Sequence, residues 1–212
     1  MRRDITIIFD FDGTIANTLI TLTEIYNLIS PRYNCRPVEL KDAERLRNTR
    51  PQDFMREYGV SHLKLPFLVM NTRRELRRRI DDVKPQADIC NTLKELKKMN
   101  YTLGIVTSNS EKNISRFLEK NDLACIFDFV ETGSHVLLKH RKIKRILKRR
   151  GISKKSAIYV GDETRDVEAA KRAGIPVIAV NWGFNDGDAL RRLDPDYAVD
   201  DPKELLELIK GL

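Results

Sequence analysis

A chain of 212 residues is long enough to bury one sizeable core without disulfide or metal staples. Its 41% hydrophobic and 33% charged residues, with only 10 glycines and 8 prolines, exclude a collagen-like, low-complexity or disordered polymer. A formal charge of +8 points to anionic partners without choosing among a phosphorylated metabolite, nucleic acid and an acidic membrane.

In chain order, β-branched runs at Ile5 to Phe9, Leu103 to Thr107, Ile126 to Val130, Ala157 to Val160 and Val177 to Val180 read as strands, with Tyr197 to Val199 as a sixth. Amphipathic helices are expected between them, at Ala87 to Met99, Asn113 to Lys120, Lys142 to Arg150 and Thr164 to Ala173. Strand then helix, repeated, predicts an α/β fold with a Rossmann-like, doubly wound parallel sheet covered on both faces. One block breaks the alternation. Between Asn17 and Ile80 the pattern predicts only helices: Thr18 to Ile29, Val38 to Arg47, a short one opened by Pro51, and Pro66 to Ile80. We therefore expect a small helical domain at 15–83 inserted into a core made of 1–14 and 84–212. The apolar run after Met1-Arg2-Arg3-Asp4 is too short for a secretory core or a membrane span, so a cytoplasmic protein without membrane association is expected. Cys35, Cys90 and Cys125 are too dispersed for a disulfide framework and read as small buried hydrophobes.

Ligands of open parallel sheets bind beyond the carboxyl ends of the strands, so polar residues there are the ones to weigh. The first run ends in Asp10-Phe11-Asp12-Gly13-Thr14, two acids that can face one pocket or simply open a turn. The second ends in Thr107-Ser108-Asn109-Ser110, which can hold an anion at a helix start or serve as an ordinary cap. The fourth ends in Gly161-Asp162-Glu163-Thr164-Arg165-Asp166, where a helix beginning between the two aspartates brings the second beneath the first. Such clustered carboxylates require a cation, and oxygen-only ligation suits Mg²⁺. His62, His135 and His140 form no pair spaced for zinc.

Taken together, the D-F-D-G-T, T-S-N, helix-leading lysine and G-D-E-T-R-D segments resemble the four motifs of the haloacid dehalogenase-like hydrolase superfamily. The stretch from Gly174 to Gly187 resembles its phosphoglycolate phosphatase branch. The resemblance implies that the helical insert is a cap domain. It further implies Asp10 as nucleophile, Asp12 as general acid and base, and Thr107 with Ser108 and Asn109 as phosphoryl-binding residues. Mg²⁺ would be held by Asp10, Asp162 and the backbone carbonyl of Asp12, with Asp166 an indirect partner. The second motif-one acid, Asp12, speaks for phosphate esters over carbon–halogen or phosphonate substrates. The third motif departs from the family, reading Lys139-His140-Arg141-Lys142 without the usual proline. Lys139 is the preferred catalytic lysine and Lys142 the fallback. Asn17 also replaces an acid usual in the family.

Substrate choice should lie in the insert and around Trp182 and Phe184. Arg47 and Arg50 are the candidates to pair with a substrate carboxylate or second phosphate. The expected activity is a Mg²⁺-dependent phosphomonoester hydrolase acting on a small anionic phosphorylated metabolite, phosphoglycolate being the nearest candidate, in a monomer or homodimer. A sugar phosphomutase of the same fold is the alternative. A basic nucleic-acid-binding module is the distant one, since no nucleic-acid motif is present.

Overall fold

The computed structural model describes residues 5–39, 42–47, 49, 51–133 and 139–212. Six parallel strands form one sheet: β1 (Thr6–Phe9), β2 (Thr102–Val106), β3 (Phe129–Glu131), β4 (Ala157–Gly161), β5 (Val177–Val180) and β6 (Tyr197–Val199). Their order is β3-β2-β1-β4-β5-β6. The chain therefore starts at the sheet centre, runs outward one way through β2 and β3, then crosses to the other side of β1 for β4 to β6. The reversal between β1 and β4 opens a crevice at their carboxyl ends. This is the doubly wound α/β core expected.

The alternation of side chains explains why these runs are strands. Ile7 and Phe9 join Leu103, Ile105, Ile158, Val160 and Ile178 in one apolar layer. Ile8 points the other way, into a second layer with Val106, Tyr159 and Val177. Burial of each such large apolar side chain stabilises the fold by about 1.5–3 kcal/mol.

Between β1 and α5 (Ile89–Lys98) lie α1 (Leu19–Ile29), α2 (Ala43–Leu46), α3 (Pro51–Tyr58) and α4 (Leu65–Arg79), with no strand among the described residues. α1 and α4 pack against each other, and α4 also touches α6 (Glu111–Lys120). The departing and returning ends of this stretch are tied together: Ala16 bridges Pro85, and the Asn17 amide donates to the Lys84 carbonyl at 2.8 Å. The sheet is completed by α7 (Lys139–Arg150), α8 (Thr164–Ala173), α9 (Gly187–Arg191) and α10 (Pro202–Gly211).

Three expectations change and one helix is added. The third strand begins at Phe129 instead of Ile126, because Ile126 and Asp128 are occupied in the turn that leads into it. The Ile126 amide donates to Leu123, and the Asp128 carboxylate accepts from the Leu103 amide at 2.9 Å. The expected helix from Val38 starts only at Ala43. The Asn27 carboxamide grips both backbone groups of Val38, at 2.6 and 2.7 Å, and holds that residue out of a helix. The last helix, α10, was not anticipated, although its signals are local: Asp201 accepts from the amides of Lys203 and Glu204, Pro202 opens the first turn, and Leu205 and Ile209 are buried on one face. Of the cysteines, Cys35 is buried, Cys90 half-buried and Cys125 exposed, so only the first behaves as a core hydrophobe.

Candidate active site

The ends of β1, β2 and β4 bring the sequence-distant polar residues together. Asp10 follows β1 directly and its amide donates to the Val160 carbonyl at 2.8 Å, which continues the sheet pairing and fixes the carboxylate at the crevice. Its side chain is 4% exposed. Gly13 then turns the chain with φ +84°, a conformation that favours glycine. A Cβ there would lie 2.1 Å from Asp162 Oδ2, so the turn also lets the loop close onto the acid of β4. A Cβ on Gly183 would come equally near that oxygen, at 2.2 Å.

Asp162 is fully buried; its oxygens accept from Thr14 Oγ1 at 2.5 Å and from the Phe184 amide at 2.7 Å. Asp166 is also fully buried, one turn into α8, and accepts from the Glu163 amide at 3.1 Å as part of a capping box. Lys139, at the start of α7, places its ammonium 2.8 Å from Asp10 Oδ2 and against Asp166. Lys142, the other candidate, faces elsewhere: it donates to the carbonyls of Thr107 at 3.0 Å and Gly133 at 2.7 Å.

The electrostatics follow from this crowding. Burial, then the charges of Glu163, Asp166 and Asp10, push the Asp162 carboxyl far above its ordinary value. Burial raises Asp166 to about 7 even though Lys139 pulls the other way. Asp12 rises to about 7 through burial and the neighbouring Asp10 charge. Burial alone would lower the Lys139 ammonium, but Asp10 and Asp166 outweigh it and hold it well above its usual range. Lys142 is pushed down to about 8 by burial and by the nearby Lys139 and Arg73 cations, against weaker pulls from Glu131 and Asp10. One oxygen from each of Asp10, Asp162 and Asp166 lies within 4.8 Å of the others. An all-oxygen donor set of three crowded, buried carboxylates is one that a hard divalent cation such as Mg²⁺ fits.

The loop after β2 supplies the opposite wall. Of its four polar residues, Ser110 is the helix cap, accepting from the Asn113 amide. Asn109 instead turns inward: its Oδ1 accepts from the Ser110 amide at 2.8 Å and Asn113 Nδ2 at 2.9 Å, which leaves its Nδ2 to donate to both Asp12 oxygens at 3.0 and 3.1 Å. Thr107 Oγ1 accepts from the Asn109 amide at 3.0 Å. The Ser108 carbonyl accepts from Arg73 of α4 at 2.9 Å.

Of the two arginines singled out from sequence, Arg47 is bound to the core. Its guanidinium donates to the carbonyls of Gly183 at 3.0 Å and Asn181 at 2.6 Å, anchoring the loop after β5. Arg50 lies outside the described residues. Sequence alone assigns no role to Thr14, Gln86, Asn113, Arg73 or Arg165. Thr14 was within reach as part of the first motif. Gln86, which donates to the Gly13 carbonyl at 2.7 Å, carries no local signal. Trp182 and Phe184 do reach the site loops: Trp182 Nε1 donates to the Thr14 carbonyl at 3.0 Å, and Phe184 lines the adjoining cavity.

Comparison with known proteins shows the family of the chain. Residues 7–180 match the haloacid dehalogenase-like hydrolases. A phosphoglycolate phosphatase of Synechococcus elongatus is 34% identical over 206 residues, covering 97% of each chain. A pyrophosphatase PpaX of Bacillus velezensis is 29% identical, covering 98% of this chain and 97% of its own. Among solved structures, a haloacid dehalogenase-like family hydrolase from Streptococcus pneumoniae superposes with a TM-score of 0.82 at 22% identity, covering 97% of this chain and 99% of its own. The chain belongs to the haloacid dehalogenase-like hydrolase family, among its phosphatases.

Proposed function

We propose that this enzyme hydrolyses phosphomonoesters with Mg²⁺ through an aspartyl-phosphate on Asp10, with residues 15–83 acting as a cap over a core of 1–14 and 84–212. The observation that carries this reading is the ammonium of Lys139 held between Asp10 and Asp166 beside a second pair of acids. In the first half-reaction an Asp10 oxygen attacks phosphorus as the bond to the leaving alcohol breaks, and Asp12 gives its proton to that alcohol oxygen. In the second, Asp12 takes a proton from a water whose oxygen attacks phosphorus, freeing Asp10. Asn109 holds Asp12 in line, and the Thr107 hydroxyl and the Ser108 amide would bind the transferring phosphoryl oxygens. Asp10, Asp162 and the Asp12 carbonyl would hold Mg²⁺, with Asp166 an indirect partner, and the ion would supply the charge compensation that a carboxylate needs to approach a phosphate dianion. Lys139 supplies the remainder. Uncatalysed phosphomonoester hydrolysis is slow enough that enzymes accelerate it by up to ~10²¹-fold, so charge compensation and positioning bear most of the load.

A small phosphorylated metabolite is the substrate class, supported by relatives named for phosphoglycolate and pyrophosphate hydrolysis. Arg47 has no part in substrate binding in this reading, since its guanidinium is committed to the loop after β5. The test is phosphate release from a panel of phosphomonoesters with Mg²⁺ and with chelator. Metal-dependent release from at least one ester, lost in Asp10→Asn, is expected; release that survives either chelation or the substitution contradicts it.

A further inference from the structure

A cavity of about 320 Å³ opens directly off the candidate catalytic residues and runs into the helical segment. Asp12, Ser108 and Asn109 form its inner end. Its walls are a different chemistry: Leu22 and Tyr26 from α1, Phe54 from α3, Leu68 and Leu76 from α4, and Phe184 from the loop after β5. The aromatic side is braced, with the Phe54 ring meeting Tyr26 edge-on at 5.4 Å and stacking on Tyr58 at 4.6 Å. Tyr26 turns its hydroxyl away to the Arg36 carbonyl, at 2.9 Å, so the ring presents an apolar face. A second lobe of about 390 Å³ shares Leu22, Tyr26, Phe54 and Phe184.

Among the described lining residues the cations are Arg73 and Arg165. Arg73 donates to the Ser108 carbonyl and Arg165 is paired with Glu163. A two-carbon acid such as glycolate would leave most of this wall uncovered, and its carboxylate would have to compete for those arginines. The Nε of Arg165, buried without a hydrogen-bond partner, is the feature that favours that rival.

We propose that the leaving alcohol of the substrate carries an alkyl or aryl body larger than a two-carbon acid, seated in this cavity while its phosphoryl group lies at Asp10. The inference rests on the phosphatase reading and narrows it. Binding energy gained on a non-reacting part of the substrate raises kcat/KM, and each methylene moved from water into an apolar wall contributes about fourfold. The volume is of the order that encloses a compact ligand.

The test is phosphate release, with Mg²⁺, from n-alkyl phosphates from ethyl to octyl, phenyl phosphate and phosphoglycolate, paired with calorimetric binding of the matching n-alkylphosphonates. Expected is a rise of about fourfold per methylene in kcat/KM and in affinity until the cavity fills, with phosphoglycolate below butyl phosphate. Val69→Asp places a charge in the same wall and should flatten the series. The octyl-to-ethyl ratio within one preparation is independent of how much of the variant folds. Release from every ester with no dependence on chain length, a preference for phosphoglycolate, or an unchanged ratio in Val69→Asp overturns the apolar seat and leaves the phosphatase reading standing. No release from any ester overturns that reading, and this substrate with it.

Discussion

The two walls of the crevice differ in how they are built. The sheet side is polar, and each acid is locked by specific contacts: Asp162 against the loops of Gly13 and Gly183, Asp10 against Lys139 at the start of α7, Asp12 under Asn109. The helical side is apolar and comes from α1, α3 and α4, held by side-chain packing with few polar ties to the sheet loops beyond Arg47 and Arg73. The contrast teaches that the reaction is set by charges fixed on rigid strand ends, whereas selectivity is set by the shape of a packed helical surface. A substitution on one side should therefore leave the other side's property alone, and each prediction below tries that separation.

The largest expected effect is on the sheet side. Asp10→Asn keeps the volume of the side chain but removes the nucleophile, and should lower turnover by on the order of 10⁴-fold or more on every ester, leaving the rank order of bound alkylphosphonates unchanged. Steady-state rates with calorimetry check both halves, and a changed rank order would break the separation.

Next is Asp162→Asn, whose sign depends on the metal. Without Mg²⁺ the substitution relieves a buried, repelled carboxylate, so the thermal midpoint should rise above that of the unsubstituted protein. With Mg²⁺ at about a hundredfold above its Kd, the unsubstituted protein gains about 2.7 kcal/mol and the order inverts. Thermal unfolding with and without Mg²⁺ reads this directly; parallel curves would contradict a metal at these acids.

Gly13→Ala should cost about 2 kcal/mol or more in stability, because the added methyl meets Asp162 at 2.1 Å in a backbone conformation of φ +84°. Denaturant midpoints test it, with Gly151→Ala, where the Cβ meets no atom within 4 Å, as the control for φ strain without a clash.

The smallest effect concerns Lys142. Its folded-state value of about 8 lies below the ordinary 10.5, so between these limits the unfolded chain binds the extra proton and stability rises with pH. Lys142→Met removes that slope. The difference between the two proteins should shift towards the unsubstituted chain by about 1 kcal/mol on going from neutral to alkaline pH. Equal slopes would show that Lys142 is not held by burial at the Thr107 carbonyl.

The same division explains what could be read from sequence. Asp10, Asp12, Thr107, Lys139 and Asp162 stand immediately at strand or helix ends, where spacing along the chain fixes position in space, and the structure gathers them. Sequence preferred Lys139 over Lys142 only by its place ahead of the helix; the fold shows that Asp10 meets the first and the Thr107 carbonyl the second. The position of Arg47 was hidden for the opposite reason. Its partners, the carbonyls of Asn181 and Gly183, are more than half the chain away, and nothing local announces them. The expected helix at Val38 failed likewise, to the single carboxamide of Asn27. The apolar cavity was invisible because its walls come from three helices and a distant loop, each of which shows only an ordinary amphipathic pattern.

The most direct test of the account is to trap the covalent intermediate. Asp12→Ala loses the proton donor of the first step and the base of the second, so with an aryl phosphate whose phenolate leaves without a proton it should accept the phosphoryl group but release it slowly; rapid acid quench after mixing with that ester and Mg²⁺ should give protein carrying one phosphoryl group, labile to hydroxylamine and mapped by peptide mass to Asp10. Unlabelled protein that nevertheless turns over, or a label on any other residue, would contradict it.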